Sequence, residues 1–246
     1  MKQIKRHTED TIIKKALAVL LTCILCSCAS VSEKDTQQAS AHYQLGVSYL
    51  NDGNIQPAFV ELQKALELNP LDKEIHNAIG VIYLVKLEDY PKAIHHFQEA
   101  LKIDKNFPEA ANNLGNAYAN VGDYAKAIES FRLALSNPQY KNAAMALNNL
   151  GVVYYRLSRY DEAMDAYKES MKRFSDSPLP YYGLALTYNA KGQYGDAAFA
   201  LSRAVQLDPA YKGDKEKALE DFKDKKLRAR GDQEKDMADY LDIMNY

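Results

Sequence analysis

The sequence predicts an all-α protein, a stack of helical hairpins closed at its C-terminal end by capping helices. Three observations predict it. A small residue recurs on a fixed beat at Gly46, Gly80, Gly115, Gly151 and Ala185, spaced 34, 35, 36 and 34 residues apart. A tyrosine follows each by three positions, at Tyr49, Tyr83, Tyr118, Tyr154 and Tyr188. A small–large–small set comes next: Ala58, Leu62, Ala65; Ala93, Phe97, Ala100; Ala127, Phe131, Ala134; Ala163, Tyr167, Ser170; and Ala197, Leu201, Ala204. A period in the mid-thirties marks a helical repeat array, whose units bury their apolar faces only by stacking.

Within each unit a first helix, A, carries Leu-Gly-x-x-Tyr or a variant, and a second helix, B, carries the small–large–small set. Spacings of three, four and seven place those side chains on one helix face. Glycine within a helix costs roughly 0.5–1 kcal/mol relative to alanine, so its recurrence implies two backbones in close approach, with the large residue of helix B filling the gap. Gly53, Gly122 and Gly192 fall between A and B, where a positive φ is wanted. Pro70 and Pro209 close helix B. The order of residue types resembles the tetratricopeptide repeat. That resemblance implies a right-handed superhelical solenoid of five repeats, 39–72, 73–107, 108–143, 144–177 and 178–211, with the A helices lining a concave groove.

Two places break the rhythm. The second repeat has one extra residue between its helices, at Leu84 to Pro91, which reads as a tolerated loop length. The link from the third repeat to the fourth, Ser136 to Asn142, is two residues longer than the others and is open to either a loop or a binding edge. Beyond Tyr211 the pattern fades into charged C-terminal capping helices over 212–246. Ala218, Leu219, Phe222 and Leu227 form a sparse stripe in the first, and Gly231 breaks the chain. A last helix, Asp232 to Met244, carries Met237, Tyr240, Leu241 and Met244 on one face. It is expected to fold back on the array, a docking segment being the alternative.

The N-terminal region lies outside the repeats. A basic lead precedes a short apolar run, Ala16 to Leu25, too short to span a bilayer and suited to a secretory signal. The run ends in Leu25-Cys26-Ser27-Cys28, which resembles a bacterial lipobox rather than an ordinary signal peptide. The resemblance implies a signal peptide over 1–27, cleavage between Ser27 and Cys28, and lipid on Cys28. Three acyl chains, as such lipoproteins typically carry, make an effectively permanent anchor. Ala29 follows the cysteine, and by resemblance to enterobacterial sorting this implies the outer membrane, facing the periplasm. Residues 28–38 read as a polar tether.

Charge and motifs narrow the function. Loss of the signal removes five basic and two acidic residues, taking the net charge from −2 to −5. A mildly acidic chain without a dominant basic face argues against nucleic acid. No phosphate-cradling glycine loop, metalloprotease motif or nucleophile–base constellation is present, so no enzymatic activity, cofactor or metal is expected. His42 and His76 fall at a helix A packing position, and the adjacent His95 and His96 point about 100° apart, which is poor for joint ligation.

Asparagine is the informative polar residue. Asn77, Asn112, Asn113, Asn116, Asn120, Asn148 and Asn149 all lie on A helices. Spacing by four places Asn112, Asn116 and Asn120 on one face, expected to be exposed in the groove. An amide offers donor and acceptor together and can hold a peptide backbone unit whatever its side chains. Tyr43, Tyr155 and Tyr182 are candidate anchors beside them. A carboxylate clamp would need lysine and arginine at the matching A-helix positions, and only Arg156 is there.

The whole pattern of lipobox, polar tether, five repeats and a length of 246 residues resembles the type IV pilus biogenesis lipoproteins known as pilotins. It implies a protein-binding scaffold, anchored through its N-terminal lipid, that assists assembly or localisation of the pilus secretin or binds another outer-membrane or periplasmic protein. Adaptors of β-barrel assembly or of peptidoglycan hydrolases are the alternatives.

Overall fold

The computed structural model describes residues 32–246. The expected signal peptide over 1–27 and the expected cleavage and lipidation at Ser27 and Cys28 lie outside the described residues. Twelve α-helices and no strand make up the described chain. They are α1 (Glu33–Asn51), α2 (Ile55–Leu68), α3 (Lys73–Val85), α4 (Tyr90–Ile103), α5 (Pro108–Asn120) and α6 (Tyr124–Leu135). Then come α7 (Ala143–Arg156), α8 (Tyr160–Arg173), α9 (Leu179–Ala190), α10 (Tyr194–Leu207), α11 (Lys215–Arg228) and α12 (Asp232–Ile243). Consecutive helices pack as hairpins, α1 on α2 through α11 on α12. The chain divides into two compact units, one ending at Pro70 and the other running from Leu71 to Tyr246.

The first unit is a single hairpin. Its first helix starts at Glu33, which corrects the expected tether over 28–38. Ser32 Oγ accepts the Asp35 N–H at 3.0 Å, and Glu33 and Asp35 occupy the positively polarised first turn. Charged residues of ordinary helix propensity therefore extend α1 ahead of the apolar periodicity, and Ala39 is already buried. A β-carbon built on Gly46 would lie 2.8 Å from Leu62 Cγ, so glycine sets the α1–α2 spacing. His42 does not pack as an apolar residue would: its Nδ1 lies 2.6 Å from Glu61 Oε2 across the hairpin. Bonds from Lys64 and His42 hold the Glu61 carboxyl below its ordinary range.

The second unit repeats the same contact with larger partners. A β-carbon on Gly80, Gly115 or Gly151 would stand 2.6 Å from Cε1 of Phe97, Phe131 or Tyr167 respectively. Each ring packs close against a glycine backbone, and all three are fully buried. Ser170 replaces the second small residue of its set and satisfies its hydroxyl by donating to Ala144 O at 2.7 Å. At the hairpin turns Gly122 takes φ 77°, yet the matching positions of the second and fourth repeats hold Glu88 at φ 51° and Ser158 at φ 57°. The extra residue of the second repeat is absorbed in that turn, where the Leu87 N–H reaches back to Ile82 O at 3.1 Å.

The long link between α6 and α7 is anchored by packing. Tyr140 is buried among Ala111, Ala134, Ala143 and Ala146, and burial pushes its hydroxyl up to about 12. In the C-terminal pair Ala218 and Phe222 are buried, whereas Leu227, expected in the same stripe, is 76% exposed. Gly231 breaks the chain at φ 60°, and α12 turns back onto α9 and α10 through buried Tyr240 and Ile243.

Candidate peptide-binding face and its C-terminal cover

The A helices α3, α5 and α7 are neighbours in the second unit, and they meet through asparagines. Asn113 Nδ2 donates to Asn77 Oδ1 at 3.0 Å, bridging α5 to α3. Asn149 Nδ2 donates to Asn116 Oδ1 at 2.9 Å, bridging α7 to α5. Asn120 is exposed and turns back to donate to Asn116 O at 2.9 Å. All four bridging asparagines are half-buried. An amide has two donor hydrogens and two acceptor lone pairs, so a single bridging bond leaves capacity for a bound backbone. The bridges also fix the rotamers, which reduces the ordering cost of binding.

Asn112 and Asn148 correct the expectation of one exposed ladder. They are 5% and 7% exposed, and neither Oδ1 has a hydrogen-bond partner. Four residues advance a helix by about 400°, so Asn112, Asn116 and Asn120 drift around α5 rather than staying in line. The first of them is carried into the packing between hairpins.

Tyr155, Arg156 and Tyr182 lie together at the other end of the unit, and α12 covers them. Arg156 Nη1 donates to Asp236 Oδ1 at 2.7 Å, Nη2 donates to Asp236 Oδ2, and Asp232 Oδ2 lies 3.4 Å from Nε. Burial opposes the guanidinium charge, but these carboxylates more than offset it and raise its pKa. Tyr155 is buried, which pushes its hydroxyl well above the ordinary range. Tyr182 donates to Asp208 Oδ2 at 3.0 Å, and its ring meets that of Tyr240 edge-on at 5.5 Å. A 380 Å³ cavity remains beneath the cover, lined among others by Asn148, Val152, Leu179, Leu186, Met237 and Tyr240. Tyr43 is half-buried on α1, in the first unit.

Sequence reasoning missed Asp236 and Asp208 as partners of Arg156 and Tyr182. The signal was present, as α12 repeats Asp232, Asp236 and Tyr240 at fours, but its complement stands 80 residues earlier. Elsewhere His76 Nδ1 lies 3.2 Å from His96 Nδ1, and His96 stacks on Tyr83 at 5.6 Å. Burial, then the charges of His76 and His95, push His96 down to about 4. Among the described residues no group of three or more His, Cys, Asp or Glu side chains could hold a metal ion.

The fold and face together define a helical-hairpin scaffold with a polar, asparagine-bridged surface. Tetratricopeptide-repeat family profiles match residues 39–70, 84–122, 107–176 and 143–210, and the chain belongs to that family. The type IV pilus assembly protein PilF of Pseudomonas aeruginosa is 28% identical over 137 residues, covering 52% of this chain. The match spans only about half of that relative, 54% of its length. The solved structure of P. aeruginosa PilF superposes with a TM-score of 0.67 at 22% identity, covering 85% of this chain and 90% of its own. PilW, a widely conserved type IV pilus biogenesis factor, gives 0.67 at 23% identity, covering 82% and 90%.

Proposed function

We propose that this chain is a lipid-anchored scaffold at the periplasmic face of the outer membrane that assists assembly of a type IV pilus secretin. The asparagine face of α3, α5 and α7 carries the reading: amides bridged at 3.0 and 2.9 Å hold their remaining donors and acceptors for an extended segment of a partner. Likeness to PilF and PilW supports the pilus as the setting. The lipobox ending at Cys28 supports the anchor. The mechanism is physical. Lipid confines the scaffold to the membrane plane, and capture of a secretin segment there raises the effective concentration of subunits. Deleting the gene tests it: secretin subunits accumulate as monomers, and surface pili are lost although pilin is still made. Normal heat-resistant secretin multimers in the deletion strain would overturn the proposal, and a general loss of outer-membrane barrels would replace it with a role in barrel assembly.

A further inference from the structure

The C-terminal helix α12 sits on the second unit as a ligand would. Its strongest polar contact is a fork of two hydrogen bonds from Arg156 to Asp236, flanked by Asp232 at 3.4 Å from Arg156 Nε and a bond from the Tyr240 hydroxyl to Tyr182 O at 3.4 Å; the fork is a geometry that selects for a carboxylate and not for polarity in general. One turn on, Tyr240 lies buried against Tyr182 and Phe222, with ring centroids 5.5 and 5.3 Å away. Three residues further, Ile243 is 1% exposed. The recognised pattern is thus a carboxylate, an aromatic ring four residues later and an aliphatic side chain three beyond that, all on one helix face.

The helix is also joined and packed unlike the hairpins before it. Ala229 is extended at ψ 162° and Gly231 sits at φ 60°, so the joint is a short non-helical break without a side-chain cap. The repeat helices meet with rings against bare glycine backbone, whereas α12 leaves the 380 Å³ cavity under it. Asn148, 7% exposed and with its Oδ1 unpartnered, is among the residues that line that cavity. A half-open cavity and an unmade hydrogen bond beneath a segment joined by a non-helical break give α12 a looser seat than the repeat helices have.

We propose that α12 is a resident occupant of a second docking surface formed by α9, α10 and α11 with Arg156 at the end of α7, and that its competitor is an acidic amphipathic helix of a partner protein presenting the same carboxylate–aromatic–aliphatic pattern. This surface uses Arg156 and Tyr182 and stands independently of the asparagine face. Release of α12 opens it; a donor from the incoming helix, or water, then reaches Asn148.

The test uses the full chain and a fluorescent synthetic peptide of residues 231–246 as the probe. Asp236→Lys opposes Arg156 with like charge, and Asp236→Asn removes the carboxylate at constant shape. Both variants speed amide exchange over 232–243 while leaving α8 protected, and both bind the peptide at least ten-fold more tightly than the wild type, whose surface is occupied. Arg156→Asp combined with Asp236→Lys restores protection of α12 and abolishes peptide binding. Equal peptide binding by wild type and variants, no binding by either variant, or unchanged exchange in α12 would each overturn the proposal.

Discussion

Tyr167 of α8 touches two A helices at once: a β-carbon on Gly151 would lie 2.6 Å from its ring, and one on Gly183 would lie 2.2 Å from Cζ. One aromatic ring therefore sets both the spacing within the fourth hairpin and the spacing to the fifth. Gly183 belongs to no repeated position, since the beat falls on Ala185 there. Its absence of a side chain is required by the neighbouring repeat.

Gly183→Ala is expected to cost about 1–3 kcal/mol, because the ring is fully buried and has nowhere to retreat. Combining it with Tyr167→Leu recovers part of that loss, as a double-mutant cycle by urea unfolding would read. Additive single effects would show that the two residues do not share the contact.

Ser158→Gly and Glu88→Gly are expected to stabilise. Both residues are exposed and hold φ 57° and 51°, a conformation costing roughly 1–2 kcal/mol for a residue with a β-carbon. Part of the gain is offset by the greater freedom of glycine in the unfolded chain, leaving about 0.5–1 kcal/mol. Thermal unfolding of each single variant checks it, and Gly122→Ala should shift the midpoint the opposite way.

Stability should fall with acid through His96. Its pKa drops from an ordinary 6.5 to about 4 on folding. The unfolded chain therefore binds the proton first, and stability is lost as pH falls from about 6.5 towards 4, with no further loss from this group below that. His96→Gln should flatten that part of the urea midpoint against pH. An unchanged slope would assign it to other groups.

Asn116→Ala with Asn149→Ala should weaken partner binding with little change in helical content, since both side chains are half-buried and removing the two together leaves neither amide without its partner. Binding of purified secretin by the double variant reads this directly. Asn148→Leu is expected to stabilise by about 1 kcal/mol, because it replaces an unpartnered buried acceptor with an apolar side chain of nearly the same shape.

Cys28→Ala should abolish incorporation of labelled palmitate and release the protein from the membrane fraction. Wild-type protein that takes up no palmitate would end the lipoprotein reading.

The hairpins were legible because their cause is local. A glycine on helix A meets a large residue 16 or 17 positions later on helix B, Gly46 with Leu62, Gly80 with Phe97, Gly115 with Phe131 and Gly151 with Tyr167, and repetition multiplies a signal carried within one hairpin. The asparagines were legible as a class and not as a face. Asn113 and Asn112 are adjacent in sequence, yet one bridges to Asn77 and the other is buried without a partner for its Oδ1. Only the packing of one A helix on the next decides which side of α5 meets solvent. The stripe of Asp232, Asp236 and Tyr240 on α12 was legible, but its seat over Arg156 was not. Asp236 stands 80 residues away, across a charged stretch that no longer repeats, and a carboxylate in such a helix has no sequence mark separating solvent from a guanidinium. Periodicity determined what contacts its own copy; which surface α12 would close was left to long-range packing, because the energy that holds it comes from a pairing that exists only once.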